Sequence, residues 1–77
     1  MALQELRTVI RLLVDEPREV EIGEDSYAGT TSFEVRVAEE DLGKVIGRQG
    51  RTARALRTLL GGRGTKDGDV YELKILD

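Results

Sequence analysis

The chain has 77 residues, 39% of them hydrophobic, and a formal net charge of −3. That is room for one small domain with one core, and not for a core plus a deep catalytic pocket. The absence of Cys and His excludes disulfide staples, thiolate chemistry, and the commonest general base and metal ligand.

The opening "MALQELRTVI" lacks a basic region followed by a continuous apolar stretch, so it does not read as a signal peptide. No apolar run approaches the roughly 20 residues of a membrane span. A cytoplasmic protein is the expectation. Residues 3–14 are predicted to form a helix, because Leu3, Leu6, Ile10 and Leu13 recur at helical spacing with Val9 and Val14 beside them. Leu12 falls off that stripe, and Arg7 and Arg11 lie on the polar side. Pro17 marks the stop, since the residue before a proline avoids helical angles.

"VEI" at 20–22 is a short strand candidate, and "GEDSYAGT" after it is rich in turn residues. "SFEVRV" alternates: Phe33, Val35 and Val37 point one way, Ser32, Glu34 and Arg36 the other, as in a half-buried strand. "AEEDLGKVI" reads as a short helix. Glu39, Glu40 and Asp41 fall in its first turn, where the helix dipole favours negative charge, and Leu42, Val45 and Ile46 form its buried stripe. Gly43 inside this helix costs about 0.5–1 kcal/mol relative to Ala. Either a backbone or ligand approaches closely there, or the glycine simply packs on the sheet.

After Gly47-Arg48-Gln49-Gly50 a second helix is predicted from about Arg51 to Leu60. Ala53, Ala55, Leu56, Leu59 and Leu60 gather on one side of it, and Arg51, Arg54 and Arg57 on the other. "GGRGTKDGD" is expected to be a loop. "VYELKIL" ends the chain as a strand with Tyr71, Leu73 and Ile75 alternating against Glu72 and Lys74. The order α-β-β-α-α-β predicts an α+β fold with helices on one sheet face.

Charge is unevenly spread. From Leu42 to Lys66 there are seven basic residues and no acid, giving +7, while the remainder carries −10. This is either a solvated basic helix face or a footprint for an anion, and the concentration favours the anion. Two G-x-x-G pairs occur, Gly47/Gly50 and Gly61/Gly64. The second reads as a helix C-cap and flexible loop. The first lies between two amphipathic helices with almost no linker. There Gly47 can take the left-handed angles that end a helix, and Gly50 turns the chain at once into the next helix. Such a junction presents backbone amides at a positive helix end and lets a phosphate approach. Neither Arg48 nor Gln49 is acidic, as an anion requires. The alternative is a tight helix corner with incidental charges. The P-loop pattern G-x-x-x-x-G-K-[ST] and the dinucleotide pattern G-x-G-x-x-G are absent.

The segment "DLGKVIGRQGRTARALR" resembles the signature of KH domains, RNA-binding modules built around helix–GXXG–helix. The extra helix and strand before that core resemble the bacterial type II KH arrangement. This implies a three-stranded mixed sheet with three helices on one face, as a single KH domain over residues 1–77 with its GXXG loop at 47–50. A stand-alone domain of this length with a "LVDEPREVEI"-like opening resembles the small bacterial KhpA family.

By position, the resemblance implies that Gly47, Arg48, Gln49 and Gly50 clamp backbone phosphates and that Lys44, Arg51 and Arg54 extend a basic rim. It implies that Val45 and Ile46 border an aliphatic groove for about four unpaired bases, with Val35 or Arg36 on the opposite wall. It also implies self-pairing or pairing with a larger KH protein of the KhpB/Jag type, and a role as an RNA chaperone or post-transcriptional regulator. The composition agrees, since three aromatics, Tyr27, Phe33 and Tyr71, cannot fill a core and also make a base-stacking platform.

The expected function is therefore non-enzymatic binding of single-stranded RNA, with no cofactor and no metal. Two alternatives are a protein-interaction or dimerisation module, using Leu59 or Leu60, and a single-stranded DNA binder. Asp15/Glu16 and Glu39/Glu40/Asp41 have structural readings, as a helix end and a dipole-favoured first turn, in preference to catalytic ones.

Overall fold

The computed structural model describes residues 2–77; Met1, the first residue of the expected domain, lies outside them. The elements run α1 (Ala2–Leu13), β1 (Glu21–Tyr27), β2 (Thr30–Arg36), α2 (Leu42–Ile46), α3 (Arg51–Asp67) and β3 (Val70–Ile75). Short 3-10 turns cover Pro17–Glu19, Glu39–Asp41 and Arg48–Gly50. The sheet is mixed, in the order β1-β2-β3. β1 and β2 are antiparallel, and β2 and β3 are parallel, with Phe33 beside Leu73 and Val35 beside Ile75. The fold is α+β, three helices and a three-stranded mixed sheet, as expected of a KH-like chain.

The apolar periodicities explain the packing. Leu6 and Ile10 of α1 are buried, with Leu3 and Leu13 packed against the core edge, while Leu12 is 80% exposed. Phe33 and Val35 of β2 meet Leu73 of β3, Val45 of α2 and Leu56 and Leu60 of α3 in one cluster. The Phe33 ring stands edge-on to Tyr71 at 5.3 Å, the favoured geometry for an aromatic pair.

Two elements are longer than the sequence suggests. β1 continues through Gly23, Glu24, Asp25, Ser26 and Tyr27, and only Ala28 and Gly29 form the turn. Both turn residues have positive φ, 52° and 81°, the signature of a two-residue type I′ hairpin. The segment 23–30 is thus mostly strand, because pairing with β2 outweighs the weak strand propensity of Gly, Glu, Asp and Ser.

Likewise α3 does not stop at Leu60 but continues through the three glycines to Asp67. The Gly61/Gly64 pair is helix interior rather than cap and loop. The cap is Gly68, in the left-handed region at φ 75°. Its N–H donates to the Thr65 carbonyl at 3.2 Å, and the Asp69 N–H donates to the Gly64 carbonyl at 2.7 Å, a Schellman motif. Tertiary contacts hold this glycine-rich turn helical. Arg63 pairs with Glu5 of α1 and with Asp67, and Tyr71 donates its hydroxyl to Asp67 at 2.7 Å.

Candidate nucleic-acid interface

The junction between α2 and α3 is the most unusual backbone in the chain. Gly47 has φ 79° and ψ 169°, Gln49 φ 56° and ψ 26°, and Gly50 φ 74° and ψ 15°. Gly47 closes α2 by donating its N–H to the Gly43 carbonyl at 2.8 Å, and the Gly50 N–H returns to the Gly47 carbonyl at 3.1 Å. The angles at Gly47 belong to a region open essentially to glycine alone. A Cβ there would also collide with the Thr52 side chain and lie 2.8 Å from the Thr52 backbone nitrogen. Gly50 faces open space, so its need for glycine is conformational. Gln49 holds a left-handed conformation without being glycine, which costs about 1–2 kcal/mol. Strain of this kind collects where function requires a fixed loop. α3 starts immediately after it, and the first amides of a helix have no intrahelical acceptor.

Six of the seven basic side chains between residues 42 and 66 divide into two sets, and Lys66 lies apart, exposed near the end of α3. Arg48, Arg54 and Arg57 are exposed and make no ion pair or hydrogen bond through their guanidinium groups among the described residues, and Arg51 touches only the Gln49 amide oxygen, at 3.3 Å. Arg51 and Arg54 line a shallow groove on α3 with Ala55, Thr58 and Leu59. Lys44 and Arg63, by contrast, are committed internally. Lys44 Nζ lies 2.9 Å from Asp15 and 3.5 Å from Asp41, and Arg63 joins Glu5 and Asp67. The carboxylates hold both cations above their ordinary values, Asp15 foremost for Lys44 and Asp67 foremost for Arg63. The positive surface is therefore narrower than the +7 of residues 42–66 suggests, and it is centred on the loop and the first two turns of α3.

The remaining expected site residues are scattered. Val35 and Val45 are both 0% exposed and belong to the core, so they offer a ligand no surface. The alternation that makes Val35 a core residue is what removes it from a groove wall. Ile46 is 38% exposed beside the loop. Arg36 lies 4.0 Å from Glu21 and lines a separate cleft with Val37, Glu39, Leu42 and Leu76, which no loop residue shares. A Cβ on Gly43 would meet nothing within 4 Å, so no backbone approaches it; the space beside that turn of α2 is open. Thr52, which fills the volume above Gly47, was not legible as a site residue. Its only signal is a β-branched hydroxyl directly after the glycine pair.

The family described as "KhpA/KhpB, KH domain" matches residues 4–75, from α1 to the end of β3. The chain belongs to that KhpA/KhpB family. It is 46% identical over 69 residues to the RNA-binding protein KhpA of Treponema pallidum, an alignment covering 90% of this chain and 86% of that one. It is 44% identical over 69 residues to the RNA-binding protein KhpA of Borreliella burgdorferi, covering 90% and 84%. Against the RNA-binding protein KhpA of Streptomyces coelicolor it is 45% identical over 69 residues, covering 86% and 87%. No solved structure matches the chain. The strained loop and its exposed arginines lie within the residues that match the KhpA/KhpB family. Among the described residues no helix is long and apolar enough to cross a membrane.

Proposed function

We propose that the chain is a single KH domain that binds single-stranded RNA without catalysis, with Gly47–Gly50 as the phosphate clamp. The observation that carries the reading is the strained loop with glycine at both ends and the exposed Arg48, Arg51, Arg54 and Arg57 in and after it, none of which makes an ion pair among the described residues. The glycines leave the loop open to close approach, and the exposed guanidinium groups supply charged donors for a phosphate. Ile46 supplies the apolar border for unpaired bases, and the relatives' being RNA-binding proteins by name supports RNA as the ligand. A cytoplasmic role as an RNA chaperone or post-transcriptional regulator follows from the same reading.

Affinity should be modest, with a Kd on the order of 10⁻⁴–10⁻⁶ M for non-specific binding, and should weaken steeply with salt. The double change Arg48→Asp and Gln49→Asp should remove RNA binding while leaving the circular dichroism spectrum unchanged. Retained affinity in that variant would refute the clamp.

A second reading, self-association or pairing with a KhpB-type KH protein, is favoured by one apolar surface. Leu59 is 67% exposed and, with Val9, borders a groove between α1 and α3. Leu60, at 6% exposure, is core and not available. Sedimentation of the wild type and of Leu59→Asp tests this surface.

A further inference from the structure

α2 spans only five residues, far too few to be helical by local propensity. Gly47 caps its C-terminal end, so the placement of α2 is the placement of the loop. Val45 fastens one side of it in the core. The other fastening is polar. Asp41 occupies the position before α2 but makes no capping bond to that helix. Its fully buried carboxylate turns instead to the segment after α1, accepting the Asp15 N–H at 3.1 Å and the Glu16 N–H at 2.9 Å. Lys44, within α2, reaches the same place and bridges Asp15 and Asp41.

We infer that Asp41 and Lys44 are positioning residues for the phosphate-binding loop: together they fasten α2 to the Asp15–Glu16 turn, and Lys44 makes no phosphate contact of its own. The assignment rests on the clamp reading above and reverses the rim role that sequence position gives Lys44.

The physical reason is the state of Asp41. Burial alone would raise its carboxyl above the ordinary range. The two N–H bonds and Lys44 outweigh that, and the group stays charged with its value lowered. A lysine that left to meet a phosphate would strip the outer counter-charge from a buried carboxylate, which is strongly unfavourable. Arg51 and Arg54 have no such obligation and can neutralise a phosphate freely.

The experiment uses the full chain and a fluorescein-labelled single-stranded oligouridylate, with Kd measured across a salt series. Lys44→Met should bind several-fold more weakly with the same salt slope, because no phosphate contact is lost. Lys44→Arg, which can rebuild the bridge, should restore affinity. Arg51→Gln should instead lower the slope by about one. Exchange of the hydrogen-bonded Gly47 and Gly50 amides should accelerate in Lys44→Met while exchange in β2 stays unchanged, a readout that needs no RNA. Should Lys44→Met fold poorly, Asp15→Ala keeps the backbone N–H bond to Asp41, removes the side-chain acceptor of Lys44, and should give the same loop effect. A slope lowered by about one in Lys44→Met, or unchanged loop exchange in the variants, overturns the inference. Failure of the wild type to bind the oligonucleotide would count against the clamp, and the exchange data would still decide the positioning role.

Discussion

Gly64 brings α3 into direct contact with Tyr71: a Cβ at Gly64 would lie 3.1 Å from the Tyr71 backbone nitrogen and 2.8 Å from the Asp69 carbonyl oxygen. Both neighbours are backbone and cannot swing aside. Gly64→Ala should therefore destabilise the fold by about 1–3 kcal/mol, the usual cost of overpacking. Gly61 and Gly62 lie in the same helix with nothing within 4 Å. Replacing either by Ala should stabilise by about 0.5–1 kcal/mol through helix propensity. Urea unfolding of the three variants reads out the contrast in sign.

The glycines of the loop should also separate. Gly50→Ala meets open space and pays only for its left-handed backbone, about 1–2 kcal/mol. Gly47→Ala adds an overlap with Thr52 and should cost distinctly more. Thermal unfolding measures both, and equal costs would mean that Thr52 moves aside freely.

Arg54 and Arg63 are close in sequence and opposite in role. Arg54→Gln should lower the salt slope of RNA binding by about one while leaving thermal stability nearly unchanged. Arg63→Gln breaks the link between α1, α3 and Asp67, so it should lower the melting temperature and leave the slope unchanged. Fluorescence anisotropy across a salt series, beside a melting curve, tests the pair.

Stability should be flat from about pH 5 to 9, because no group with an ordinary value in that range is present on the side chains. Asp41 and Asp67 both lie below the ordinary carboxyl value of 3.8. For Asp67 the Tyr71 hydroxyl is the main cause, with Arg63 assisting against burial. Their contribution is complete above that value and is lost as pH falls through the lower folded-state values. At the alkaline end Lys44 is raised above 10.5, chiefly by Asp15, and Tyr71 above 10.0, chiefly by Asp67. Their contributions are complete below those ordinary values and are lost as pH rises through the folded ones. Melting temperature against pH should show a plateau with two falling limbs, and a step near neutrality would contradict it.

The sequence was legible where one face of an element is apolar. The stripes of α1 and the alternation of β2 predicted their own burial. It was poorly legible where distant contacts overrule local preference. β1 is almost wholly exposed and polar, so the strand expected at 20–22 marks only its start, and pairing with β2 reveals the rest. The second half of α3 contains three glycines and is held by Arg63, Tyr71 and the close approach at Gly64. In the interface, the loop was visible from its glycines and charges. The KH resemblance gives Val45 and Lys44 places in the site, whereas core packing, as the apolar stripe of α2 already suggests, claims the first and a carboxylate from another part of the chain claims the second. No local pattern announces a partner 29 residues away.

The parallel pairing of β2 with β3 carries a kinetic consequence. A hairpin such as β1–β2 closes through a two-residue turn and can form in microseconds. β3 must wait until α2, the glycine loop and α3 have crossed over the sheet, since parallel neighbours need a long connection. Contacts of such sequence separation slow folding. The phosphate-binding loop lies within that crossover, so it is locked into shape in the same late event that seats Leu73 and Tyr71 beside Phe33. A growing chain should thus form the hairpin first, only marginally stable by itself, and gain binding competence only when β3 docks.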